Sequence, residues 1–183
     1  MLNRFLIAAS TVALLVASPT AAQQASRTTT EFTLTTDAPR TVEQERVRFD
    51  EADLAIKVMP ETRTIDSVAT LTFTTLAPLE RLVVELDTVF DVSSVRVGDV
   101  EIAPENWSNP EGRMTVNLPS NVPTGEELVL RIAYAGAPRV APNAPWDGGF
   151  QWMTAPTGEP WIATAVQPEG CDLFWPCIDS PLA

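Results

Sequence analysis

Apolar and polar residues alternate through most of this chain. Ala52, Leu54, Ile56 and Val58 are separated by Asp53, Ala55 and Lys57. Pro60-Glu61-Thr62-Arg63 interrupts the run as a turn. Ile65, Ala69, Leu71 and Phe73 then alternate with Asp66, Thr70, Thr72 and Thr74. A period of two puts every second side chain on one face, so these runs predict an antiparallel hairpin. Leu82, Val84 and Leu86 predict a short strand. Val95 and Val97, then Gly98-Asp99, then Val100 and Ile102 predict a second hairpin with a tight turn. Met114, Val116 and Leu118 alternate with Thr115 and Asn117, and Leu128, Leu130, Ile132 and Tyr134 with Val129, Arg131 and Ala133. No stretch past residue 22 sustains a helical period. The pattern predicts an all-β fold, with an antiparallel sandwich body from about residue 41 to 136 and sheets solvated on one side.

The composition changes after Gly136. Residues 138–181 hold 8 of the 16 prolines, and residues 146–175 hold four of the five tryptophans. Proline interrupts ladders, and tryptophan needs a wall to pack against. The expectation is a Pro/Trp-rich C-terminal segment with short strands near Gly149–Met153 and Trp161–Val166. It would either close over the sandwich as a flap or form one wall of a cleft completed by another domain.

The first residues carry a different signal. Arg4 precedes the apolar run Phe5–Ala17, and Thr20-Ala21-Ala22 supplies small residues for cleavage. The run is too short to span a bilayer, so residues 1–22 read as a secretory signal peptide, not a retained anchor. Export to a periplasmic or extracellular space follows. Residues 23–40 are Thr-rich and polar and read as a leader, loose or weakly paired with the body. Residues 41–183 form the domain, with no membrane span after cleavage.

Charge and residue counts narrow the chemistry. The 183 residues carry a formal charge of −12, which disfavours nucleic acid and anionic membranes as partners. There is no histidine. That excludes Ser-His-Asp and Cys-His catalysis and the H-E-x-x-H zinc site within these residues. Cys171 and Cys177 are the only cysteines. They form either a disulfide, which export permits, or two buried thiols; with no histidine nearby their spacing makes a poor zinc site. Asp50–Glu51 and Glu126–Glu127 are sequence neighbours on strand-like segments. Such neighbours point to opposite faces, so these carboxylates do not form a glycosidase-type pair.

One segment stands out: Thr164, Gln167 and Pro168, followed by Trp175-Pro176-Cys177, Asp179 and Pro181. It resembles the end of the N-terminal β domain of the aminopeptidase N-like zinc peptidases. Members carry a threonine, a Gln or Glu three positions on, often a proline, and then an aromatic-Pro-Cys-x-Asp-x-Pro stretch. The hairpin around Pro60–Ile65 looks like the opening hairpin of that domain. The resemblance covers about residues 45 to 183. The chain departs from it at Gly170, Cys171 and Asp172, where many relatives have Asp-Ala-Arg, and at Ser180, where the usual residue is Glu.

The resemblance implies a saddle-shaped antiparallel β domain covering a zinc-bearing catalytic domain of the same polypeptide. It also implies that Gln167 accepts hydrogen bonds from the free α-amino group of a peptide substrate. An amide oxygen suits that task, because it accepts from an ammonium. Trp175, Pro176 and Asp179 read as packing and turn residues. These residues would then be the substrate-anchoring module of an exported zinc aminopeptidase, with no catalytic group and no metal of their own and with zinc implied for the full-length enzyme. The alternative is a self-contained exported β-sandwich that binds a protein or peptide through Trp146, Trp152, Trp161 and Trp175.

Overall fold

The computed structural model describes residues 27–35 and 38–180. The signal peptide expected over residues 1–22 lies outside the described residues. The body opens on a helical turn, α1 (Val42–Glu45). A capping box nucleates it: the Thr41 hydroxyl accepts from the Gln44 N–H at 3.2 Å, and the Gln44 side chain accepts from the Thr41 N–H at 2.8 Å. The period-two signal expected from Thr41 therefore begins six residues later, at Val47.

Among the described residues ten strands follow. They are β1 (Val47–Met59), β2 (Thr64–Thr75), β3 (Leu79–Glu85), β4 (Phe90–Val97), β5 (Val100–Glu101), β6 (Trp107–Ser108), β7 (Arg113–Val122), β8 (Glu127–Gly136), β9 (Gly149–Thr154) and β10 (Pro160–Ala165). The main sheet has the order β1-β2-β8-β4-β5, a second sheet the order β3-β7-β6, and β9 and β10 form a separate hairpin. Every strand pair is antiparallel. The sheets do not close into a barrel, and the fold is all-β and sandwich-like.

Alternation decides which faces meet. Ile65, Ala69, Leu71 and Phe73 of β2 point inward with Leu128, Leu130, Ile132 and Tyr134 of β8. Leu82 and Val84 of β3 and Met114 and Val116 of β7 complete the same buried core from the second sheet. Such burial drives the collapse at roughly 25 cal/mol per Å² of apolar surface. The β1–β2 register pairs Ala52 with Leu71 and Leu54 with Ala69, as the sequence predicts for a hairpin turning at Pro60–Arg63. Only the near half of β1 reaches the core; Ile56 and Val58 stay exposed towards the hairpin tip.

Both ends of the described chain are fastened to this body. The Thr29 hydroxyl donates to Asp87 Oδ2 at 2.7 Å, the Arg27 guanidinium lies 2.9 Å from Asp91, and Thr33 is buried. The leader segment 27–35 thus gains side-chain ties that its polar composition alone does not suggest. At the other end, the Tyr134 hydroxyl donates to Phe174 O at 2.8 Å from inside the core. Phe174 meets Phe150 edge to face, and Trp175 lies against Phe49. The two tail strands expected near Gly149–Met153 and Trp161–Val166 are β9 and β10, each within a residue of the predicted bounds.

Candidate functional site

Strand β10 ends at Ala165, and the chain turns back over Val166–Gly170. The Gly170 N–H closes this turn on Val166 O at 2.6 Å. The Gln167–Pro168 peptide is cis. Gln167 and Pro168 are exposed, as is Thr164 on β10. The sequence-predicted anchor therefore projects from a tight turn into solvent and away from the packed core.

Two residues on, the turn is nailed down. Glu169 is 5% exposed. One carboxylate oxygen accepts from the Gly148 N–H at 2.6 Å, and the other pairs with the Arg139 guanidinium. Arg139 also donates to Gly148 O at 2.7 Å. A buried carboxylate needs this combination of cation and backbone donor to offset the water it loses. The segment before β9 is thereby tied to the turn that carries Gln167. Sequence reasoning missed this pair, because Arg139 and Glu169 lie 30 residues apart and neither belongs to a local pattern.

Beyond Gly170 the chain forms a closed loop. Cys171 and Cys177 are joined by a disulfide with a Cα–Cα distance of 6.3 Å. This settles the choice left open between a bridge and two thiols. A 3-10 turn spans Cys171–Leu173. The loop docks on the end of β3: the Glu85 N–H donates to Cys177 O at 2.7 Å, and the Cys177 N–H donates back to Glu85 O at 3.0 Å. The Asp87 N–H donates to Asp172 O at 2.9 Å. Pro176 and Ile178 are buried beneath this seam. Cross-linking so short a loop is worth about 2 kcal/mol in the chain-entropy account. Replacing both cysteines by serine is expected to lower the urea unfolding free energy by about that much. An unchanged midpoint would show that backbone pairing alone holds the loop.

The seam gathers carboxylates. Glu85 accepts from the Gln44 side chain at 2.6 Å and from the Asp179 N–H at 3.1 Å, with Arg113 4.0 Å away. Burial nevertheless pushes its carboxyl above the usual range. Asp87 is wholly buried, and burial raises it too, against hydrogen bonds from Thr29 and the Val89 N–H. Asp172 is 2% exposed, and its Oδ1 has no hydrogen-bond partner. Burial, with the negative charge of Asp179 beside it, pushes the Asp172 carboxyl up to about 8.

Of the four tail tryptophans, only Trp146 and Trp161 are exposed. Trp152 stacks on Phe150 at 5.1 Å, and Trp175 packs on the core through Phe49. The four-tryptophan binding face of the alternative reading is thus reduced to two residues, because the other two rings are spent on packing. Among the described residues no group of three or more His, Cys, Asp or Glu is placed to hold a metal ion. Both sulfurs are consumed by the disulfide, so the described residues do not fit a zinc site. Among the described residues no helix is long and apolar enough to cross a membrane.

No protein-family model matches the chain, and no curated protein matches it. Solved structures do. An M1 zinc metallopeptidase from Deinococcus radiodurans superposes with a TM-score of 0.60 at 26% identity, over 76% of this chain and 30% of that one. This chain has the N-terminal β-domain fold of the M1 zinc metallopeptidases. A mutant of the same enzyme bound to a Tyr-Ser-Ala substrate matches with a TM-score of 0.58, again at 26% identity over 76% of this chain and 30% of that one. Leukotriene A4 hydrolase from Saccharomyces cerevisiae shares the fold at 17% identity, with a TM-score of 0.57, 75% of this chain and 22% of that one covered. The chain thus spans about 30% of the length of the M1 structures it matches.

Proposed function

We propose that this chain is the N-terminal, substrate-anchoring module of an exported zinc aminopeptidase, which removes residues from the N-terminus of peptides. The reading rests above all on Gln167: it stands exposed on a turn that is fixed from behind, in a motif matching the family, on the M1 β-domain fold. In this reading the amide oxygen of Gln167 accepts from the substrate's α-ammonium and counts one residue from the chain end. The zinc and the groups that activate water belong to a catalytic domain of the same polypeptide, outside the residues of this chain. The chain by itself contributes binding and orientation, not bond cleavage.

The chemistry sets the expected size of the effect. A hydrogen bond to a charged partner is worth roughly 1.5–3 kcal/mol. Gln167→Ala, made in the polypeptide carrying the catalytic domain, is therefore expected to lower kcat/KM for free-amine peptides about 10- to 100-fold. N-acetylated peptides lack the ammonium and should change little. Gln167→Glu should keep or tighten amine binding, because a carboxylate pairs more strongly with an ammonium. A loss under about twofold for Gln167→Ala would remove the anchoring role. The exposed Trp146 and Trp161 favour a second reading, a self-contained binding protein. It predicts that the isolated chain captures a peptide or protein and loses it in the Trp146→Ala/Trp161→Ala variant.

A further inference from the structure

We propose that the seam between the leader, the end of β3 and the disulfide loop is a proton-coupled latch, in which opening of the loop releases the proton held by Asp172. The inference goes beyond the anchoring role of Gln167 and does not depend on it. Three observations place the proton. Asp172 is 2% exposed, and its Oδ1 is buried without a partner. The carboxylates that surround it, Glu85 and Asp87, already have both oxygens hydrogen-bonded by Gln44, the Asp179 N–H, Thr29 and the Val89 N–H. An ionised carboxylate there would be both desolvated and crowded by like charge, so the neutral acid is the stable occupant.

The charged groups facing Asp172 come from a residue just past its own loop and from the end of β3. Asp179 follows the disulfide, Glu85 ends β3 and Asp87 lies two residues beyond it; all three oppose its ionisation. The cations are Arg113 from β7, 4.0 Å from Glu85, and Arg139, whose charge is felt at Asp87. Both are committed to the other carboxylates. Among its described residues the leader contributes Thr33, which favours the ionised form of Asp172 but is outweighed by burial and the like charges, and Thr29, with no titratable group in contact with Asp172.

The latch is held by backbone bonds that must break together. These are Asp87 N–H to Asp172 O and the reciprocal Glu85–Cys177 pair. Opening hydrates Asp172, which then ionises as an ordinary aspartate. The sign follows from linkage: a carboxyl raised in the closed form stabilises closure fully below the ordinary aspartate range, and that contribution is lost as pH rises towards about 8. The latch is therefore tight in acid and loosens through neutral pH. The Asp179 carboxylate packs directly over Gly170, so opening also frees the back of the turn that bears Gln167.

Hydrogen exchange of the intact, oxidised chain tests this at the seam amides of Asp87 and Cys177. Between about pH 5.5 and 7.5 their protection, corrected for intrinsic exchange, is expected to fall about tenfold per pH unit. It should also lie at least about tenfold below that of core amides in β2 and β8, because the loop opens without global unfolding. In Asp172→Asn the pH dependence over this range should vanish. Protection that is flat with pH in the wild type, a slope retained in Asp172→Asn, or seam protection equal to that of the core would each overturn the latch. Should the variant not fold, the wild type decides alone: the Asp172 side-chain carboxyl carbon is followed by NMR, and a midpoint near the ordinary value of about 4 sinks the proposal.

Discussion

Arg139→Leu is expected to destabilise the chain by about 3–5 kcal/mol, read as a fall in the urea unfolding free energy with little change in slope. Glu169 is 5% exposed, and its neighbours other than Arg139 are untouched by the substitution. In the wild type its carboxylate has the Arg139 guanidinium on one oxygen and the Gly148 N–H on the other. Removing the arginine leaves a buried charge with a single amide for company, and it also strips a donor from Gly148 O. The double variant Arg139→Leu/Glu169→Gln should recover about half of the loss or more, since an uncharged amide can still accept from Gly148. A single-variant loss below about 1 kcal/mol would mean that the pair behaves like a solvent-screened surface bridge. Because Glu169 lies two residues past Gln167, the same substitution should loosen the turn that carries Gln167.

The contrast between Gln167 and Arg139 shows what the sequence could and could not reveal. The strands were legible because alternation is a local property: β2 reads Ile65, Ala69, Leu71, Phe73 on one face whatever lies opposite. The motif around Gln167 was legible because its spacing is local too. The groups that fix the turn were not. Arg139 and Glu169 meet across 30 residues, and Glu85 reaches Asp179 across 94. No periodic pattern marks a residue whose partner is set only by the folded chain.

The places where the fold departs from its sequence pattern are of the same kind. The start of β1 moved to Val47 because a Thr41–Gln44 capping box, worth a turn of helix, outcompeted the period-two signal at short range. Trp152 and Trp175 look like surface aromatics in a proline-rich tail, yet Phe150 and Phe49 give them walls. Asp172 stands out in the sequence only as a departure from the Asp-Ala-Arg of relatives. Its consequence, a buried acid among acids, depends on β3 and the leader arriving beside it.

The β9–β10 hairpin offers a sharper test, because it has a glycine at each end and the structure treats them differently. Gly149 opens β9 at φ +140°, where a Cβ would lie 2.6 Å from Ala141 N and 2.7 Å from Arg139 O. Those two atoms are engaged with the same strand: the Ala141 N–H donates to Phe150 O at 3.0 Å, and the Phe150 N–H donates to Arg139 O at 2.7 Å. A methyl group at Gly149 must therefore push backbone apart and break this pairing, and it must do so at a φ that L-residues avoid. Strain and overpacking of about 1–3 kcal/mol each give an expected loss of about 3 kcal/mol or more for Gly149→Ala. For a chain of this length that is a fall in Tm of about 10 °C. Gly158, at the hairpin turn, has φ +92° but nothing within 4 Å of its added Cβ. Gly158→Ala carries only the backbone cost, about 1 kcal/mol, and a correspondingly small shift in Tm. Equal shifts for the two variants would show that φ alone matters, and that the crossing of segment 139–141 over β9 does not hold the hairpin in place.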